Sequence, residues 1–321
     1  MPLPSSGQIT LDEMHVEAGG STTTEGAVND ADIRSLIGAA SGGPDLAFTD
    51  WYGASAGVTI NITISSNTNN YNIWNSKGGT YSAGQTTVNV TINSGVTIGA
   101  TSIISYAFTT GLGWATGDVI NITNNGTIKG HPGDGGRGGN AVYNSSAGNG
   151  LGGGVAGNAF RGQFACTVIN NGSVYGGGGG GGGGGSNYGH IVVGKGSSIQ
   201  ANGGSGGGGG AGVTSSSGGA GGTASGATVN TAGNTGSSGT ATAGGAGGGS
   251  SGQGAGAGGN GGGLGSNGGA GTAATVSSFI PTQPNAAGSG GNGGTRGYYQ
   301  VGSIFINGGS GIGGTVGGRS A

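Results

Sequence analysis

The feature that most constrains this chain is where its glycines fall. Runs at 176–185, 203–210, 244–249 and 288–294 hold many of the 92 glycines, and Ala, Ser, Asn and Thr fill the positions between them. Glycine has no side chain to bury and loses more conformational freedom on folding than any other residue. From residue 130 onward a conventional helical or sheet core is therefore excluded.

Composition leaves two readings of that region. One is a flexible low-complexity tail, the usual meaning of a Gly and Ser excess without a period. The other is an ordered array in which backbone hydrogen bonds replace a core, since every N–H and C=O withdrawn from water needs a partner. The extended left-handed helix with three residues per turn has no internal hydrogen bonds, and without Cβ atoms many such helices can lie side by side and bond laterally. Collagen shares this geometry but needs Gly at every third position and abundant Pro. The run 176–185 ignores that register, and the chain has six prolines.

Only 6% of the 321 residues are charged, and 6% are aromatic. Most acidic residues lie between Asp12 and Asp50, and no charge occurs between Lys195 and Arg296. Clustered Lys and Arg are missing, so no nucleic-acid partner is expected. Cys166 is the only cysteine, which precludes an internal disulfide framework. The N-terminal stretch has no basic region followed by an apolar run, and no 18-residue apolar stretch follows, so neither a signal peptide nor a transmembrane segment is expected.

Residues 8–52 form the conventional amphipathic part. Thr10 and Glu13 make a capping box that opens a short helix through Leu11, Met14 and Val16, while Asn29 and Asp30 cap a second carrying Ile33, Leu36 and Ile37. Phe48, Trp51 and Tyr52 add an aromatic anchor. These apolar residues are too few for a core, so the segment is expected to dock on a partner that completes it.

From Val58 the pattern turns to period two, which argues for strand. A unit of strand, turn and returning apolar residue recurs at 90–98, 191–199 and 304–312, and in a shorter form at 122–128 and 168–174. Their spacing is irregular and glycine tracts intervene, so they are not expected to be rungs of one uniform solenoid. The tracts read as excursions from a small β scaffold.

The chain has few parts for catalysis. His15, His131 and His190 are scattered without metal-ligand spacing, and after the N-terminal segment only Asp118 and Asp134 remain for paired-carboxylate chemistry. No enzyme activity, metal or cofactor is expected. Asp134 and Arg137 read as a surface ion pair. The informative minority is aromatic: Tyr143, Phe160, Phe164, Tyr188, Phe279, Tyr298 and Tyr299 interrupt the glycine tracts. Tyr in loops supplies contact area at low entropy cost, so these are the candidate receptor-binding residues, against the alternative that each plugs the end of its own layer.

Taken together, the glycine tracts with their short loops from 130 to 321 resemble the glycine-rich tail-fibre tip adhesins of T-even-like phages. The stretch Gly7-Gln8-Ile9-Thr10-Leu11-Asp12-Glu13, with Phe48-Thr49-Asp50-Trp51-Tyr52-Gly53, is similar to a leader shared by phage tail structural proteins. The resemblance implies a mostly β and irregular fold in three parts. These are a virion-attachment segment (1–55) with short helices, a β-rich domain (56–129), and a C-terminal sandwich of packed polyglycine, polyproline-II-like helices (130–321) whose loops bind the host. It implies a virion tail location and other tail or fibre proteins as partners at the N-terminus, docked through Ile33, Leu36, Ile37, Phe48, Trp51 and Tyr52. A host surface protein or glycan is the expected partner at the loops. Monomeric tip and homotrimer both remain open. A passive tail or capsid-decorating subunit is the alternative, and an ice-binding or cell-wall glycine-rich protein a third.

Overall fold

The computed structural model describes residues 3–22, 26–37, 39, 46–54, 56–194, 196–276 and 279–307, with 303–307 as backbone only. The fold is β-rich, with short N-terminal helices and a curled half-barrel as its largest sheet. The chain divides into two compact units. One comprises Met1–Asn61, Lys77–Asn89 and Trp114–Ile120; the other comprises Ile62–Ser76, Val90–Gly113 and Asn121–Ala321.

In the first unit the capping box forms as expected. The Thr10 N–H donates to the Glu13 carboxylate at 2.7 Å and the Glu13 N–H to the Thr10 hydroxyl at 3.2 Å, opening the helix Leu11–Glu17. These Thr10 donors hold the Glu13 carboxyl below its ordinary range. The second helix, Ala31–Ser35, has Asp30 at its N-cap, but that carboxylate turns back to the Ala27 N–H.

The expectation that this segment lacks a core is corrected. Ile33 and Trp51 are 0% exposed, packed with Leu3, Ile9, Met14 and Ala54, and Leu36 and Ile37 lie against them. The reason is the return of the chain's start: the Leu3 N–H donates to the Ala54 carbonyl at 2.8 Å and the Gly53 N–H to the Pro4 carbonyl at 3.0 Å. That closure adds Leu3 and Ile9 to the cluster. The Trp51 indole N–H donates to the Ile33 carbonyl at 3.0 Å, so burying its one polar atom leaves no orphan.

The same unit holds a buried carboxylate. Asp118 accepts from the Tyr81 hydroxyl and the Ala115 N–H, each at 2.7 Å, and from the Thr86 N–H at 3.1 Å. Burial alone would raise its pKa. The hydrogen bonds outweigh burial and hold it below the ordinary value.

The strand and turn units become layers. The strands Val58–Ile64, Thr86–Ile92, Val119–Asn124 and Phe160–Asn170 are successive neighbours in the largest sheet. After each turn a short strand follows: Thr68–Asn69, Thr97–Gly99, Thr127–Lys129 and Ser173–Tyr175 pair in parallel, aligning Thr68, Ile98, Ile128 and Val174 in one row. Each turn donates to the one before it: Asn93 N–H to Ile64 O, Asn125 to Ile92, and Asn171 to Asn124. Buried Asn124 and Asn170 face each other in register, with a side-chain hydrogen bond of 2.7 Å, and the Asn124 side-chain Oδ1 also accepts the Gly126 N–H.

Irregular spacing therefore did not prevent stacking. The units at 90–98, 122–128 and 168–174 are consecutive parallel rungs, because the extra residues are accommodated in excursions between them. The unit at 191–199 differs: Asn187–Val193 and Gly196–Asn202 form an antiparallel hairpin with Val193 opposite Gly196. Of the unit at 304–312, the residues to 307 pair in parallel with Phe160–Asn170, and the rest lies outside the described residues. Beside the stack, Tyr71, Phe108, Phe160 and Gln300 are aligned across parallel strands. Tyr71 stacks on Phe108 with centroids 5.6 Å apart, and Phe160 meets Phe108 edge-on at 5.1 Å.

Residues 176–185 are buried at every position. Their amides leave in three directions that repeat every third residue. The N–H groups of Gly177, Gly180 and Gly183 donate to the carbonyls of Gly157, Gly154 and Leu151; those of Gly178, Gly181 and Gly184 to Ala211, Gly208 and Ser205; those of Gly179, Gly182 and Gly185 to Ser266, Gly269 and Thr272. The carbonyls accept with the same period. Gly133, Gly136 and Gly139 donate to Gly178, Gly181 and Gly184, while Gly262, Gly259 and Gly256 donate to Gly179, Gly182 and Gly185. Gly297, Gly294 and Gly291 donate to Gly177, Gly180 and Gly183. The tract is thus enclosed by backbone on all sides. A Cβ built on Gly180 would lie 1.8 Å from the Asp134 carbonyl oxygen, and one on Gly182 2.0 Å from that of Gly291. No side chain larger than a hydrogen atom fits at these positions.

Candidate functional site

One end of the central tract leads from Tyr175 in the rung stack, and the other enters the hairpin at Asn187. Eleven residues, 176–186, separate them. The hairpin end carries the most developed surface. Tyr143, which follows the two-residue strand Ala141–Val142, bonds through its hydroxyl to His190 Nε2, and its ring meets Tyr188 edge-on at 5.7 Å. Asn144, beside it, has a φ of 54°, the left-handed turn conformation that Asn tolerates better than most residues.

Two buried asparagines hold the base of the hairpin. Asn187 donates to the carbonyls of Gln253 and Thr275 at 2.8 and 2.6 Å, and Asn202 donates to the Asn187 side-chain oxygen at 3.0 Å. They join the hairpin to the loops around 253 and 275. The Ile280 N–H donates to the His190 carbonyl at 2.7 Å, bringing a third loop alongside. There the Phe279 ring lies on Gly189, where a Cβ would come within 2.4 Å of the ring, so glycine is required for that contact.

Ile191, Val192, Gln253, Phe279, Ile280 and Pro281 line a groove of about 410 Å³. Beside it Val192 is 69% and Val193 55% exposed. Ile104 at 86% and Leu112 at 69% are as open, so exposure alone does not single out the valines; their place at a strand end beside the groove does. Such a patch suits contact with another molecule better than solvent.

The seven aromatic candidates divide between the two ends. At the hairpin end Tyr143 packs on Tyr188, while Phe279 packs separately on Gly189, and Tyr188 and Phe279 are themselves buried, at 9% and 4% exposure. Phe160, Phe164, Tyr298 and Tyr299 lie on the side of the rung stack, where the Phe160 N–H donates to the Tyr299 carbonyl and the Ala159 N–H to that of Tyr298. Phe160 is 0% exposed, so its ring is unavailable to a partner; strand register places it against Phe108. Among the N-terminal candidates Ile33 and Trp51 are core, and Phe48 and Tyr52 remain 47% and 37% exposed.

His190 and the Asn187–Asn202 pair were not foreseen, because a lone His and frequent Asn carry no spacing signal. Asp134 and Arg137 do not rely on each other: Asp134 accepts from the Ser217 N–H at 2.8 Å and Arg137 donates to Asn140 at 3.0 Å. Among the described residues no group of His, Cys, Asp or Glu could hold a metal ion, and no helix is long and apolar enough to cross a membrane. The Cys166 thiol is buried and its pKa is pushed up to about 12, which makes it a packing residue.

The family model described as phage tail fibre adhesin Gp38 matches residues 59–316, from the first strand through the glycine array. The chain belongs to this family. No curated protein and no solved structure matches it significantly. The adhesin is thus a receptor-binding protein of the virion tail, and the family is not one of enzymes.

Proposed function

We propose that the adhesin is mounted on its fibre through the N-terminal segment and meets the host through the hairpin end of the glycine array. In this reading residues 1–55 attach, 56–129 form the β-rich connection, and 130–321 present the receptor loops. The period-three exchange of partners along 176–185 supports a sandwich of packed polyproline-II-like glycine helices, which is how three residues per turn would distribute hydrogen bonds. Mounting is assigned to the exposed Phe48 and Tyr52, supported from beneath by Trp51, Ile33, Leu36 and Ile37.

The observation that carries the host assignment is the apolar groove lined by Ile191, Val192, Phe279, Ile280 and Pro281, with Val192 and Val193 exposed at the hairpin end; Phe279 and Tyr188 are themselves buried and support this surface from within. Bare aliphatic groups give little to a sugar and much to a protein loop, so the receptor is a host surface protein. The Val192→Asp, Val193→Asp double variant should keep its melting temperature and lose the ability to compete with phage for adsorption. Undiminished competition would remove the hairpin from the receptor site.

A further inference from the structure

The rung stack ends on an open edge. Inner rungs bury their aliphatic row completely: Val90 is 1%, Ile122 1% and Val168 0% exposed. In the first rung Ile62, the corresponding inward residue, is only partly buried, and so is Thr68, which aligns with fully buried Ile98 and Ile128. Among the described residues nothing follows Val58–Ile64 in the sheet order or Thr68–Asn69 in the smaller one.

Backbone direction shows what that edge offers. The Ile64 carbonyl accepts from Asn93 in the second rung. In a parallel pair alternate residues bond to opposite sides, so the N–H and C=O of Thr63 face outward. Natural edges are blunted by charge, Pro or a bulge. From Gly53 to Ser76 this chain has no charged residue and no proline. The edge is a template for one more parallel rung.

We propose that residues 62–69 receive an extended strand of the tail-fibre protein on which the adhesin is mounted, adding a parallel rung whose aliphatic residues cover Ile62. This rests on the reading that the chain is fibre-mounted, and it adds a second attachment surface to the N-terminal one. Backbone pairing would give the attachment affinity, and alternate side chains its specificity. An uncharged edge fits a strand alternating aliphatic residues with Thr or Asn, as the inner rungs do.

The test uses phage carrying full-length variants, with the adhesin on purified particles quantified by immunoblot. Thr63→Pro removes the outward donor and leaves the inner ladder intact; Thr63→Lys keeps the backbone and adds an edge charge. Both should leave the purified protein binding cells while reducing the amount on particles about tenfold or more, a loss of about 1.4 kcal/mol in attachment. If Thr63→Pro fails to fold, Thr63→Lys decides. Wild-type amounts on particles for a folded variant would overturn the edge proposal alone, whereas wild-type amounts after deletion of 1–55 would overturn the N-terminal assignment alone. Should the free protein form dimers that Thr63→Lys dissociates, the occupant is a second copy and the fibre strand is refuted.

Discussion

The rung stack and the glycine array both bury extended backbone, and they do so with opposite materials. In the stack, Ile98, Ile128 and Val174 align in a row that excludes water, and hydrogen bonding follows the packing. Along 176–185 in the array there are no side chains to pack, and carbonyl oxygens of neighbouring segments occupy the space where a Cβ would be. The stack depends on the presence of carbon atoms and the array on their absence. A region stabilised by apolar area should fail when atoms are removed, and one stabilised by backbone contact should fail when they are added.

The sharpest way to break this contrast is Gly180→Val. The new Cβ would overlap the Asp134 carbonyl oxygen, and relieving it would separate segments joined by hydrogen bonds in several directions. We expect a loss of about 4 kcal/mol or more, seen as insoluble protein or a collapse of the urea midpoint. A wild-type midpoint would mean that the array is not close-packed. Next comes Ile122→Ala in the stack, where lost burial and the cavity left behind should cost about 3 kcal/mol. An equal or larger loss than at Gly180 would abolish the distinction. The smallest effect is expected at Gly263, where an added Cβ has nothing within 4 Å. Gly263→Ala should change stability by about 0.5 kcal/mol or less, through the unfolded chain alone. Severe destabilisation there would show that glycine is needed at all array positions, not only where backbones touch.

Much of this architecture is legible in sequence where a residue's role depends on its near neighbours. The Thr10–Glu13 box and the strand and turn units are of that kind; the exclusion of a side-chain core after residue 130 holds along 176–185 but is corrected at Phe160–Asn170, a strand of the largest sheet whose Phe160 and Val168 are fully buried. What distant chain segments contribute is not legible. Trp51 reads as an exposed anchor until Leu3 and Ile9 fold back over it. Phe160 reads as a contact residue because it interrupts glycine, yet pairing with Phe108, 52 positions earlier in the chain, buries it. The hairpin site combines residues from near 143, 188, 253 and 280, and no spacing rule connects them. Surface loops carry much function on rigid scaffolds, and their side chains converge only through that scaffold.

The period of three along the central tract also bears on how its gene can change. Deleting one glycine from 176–185 would shift the hydrogen-bond period by one, so that an amide now donating to Ala211 would face the segment of Gly154 instead. Deleting three would remove one layer and return each remaining amide to its own neighbour. Length variation in such tracts is therefore tolerated in blocks of nine nucleotides, while the hairpin and the loops at 143 and 280 are free of that arithmetic and can drift one codon at a time.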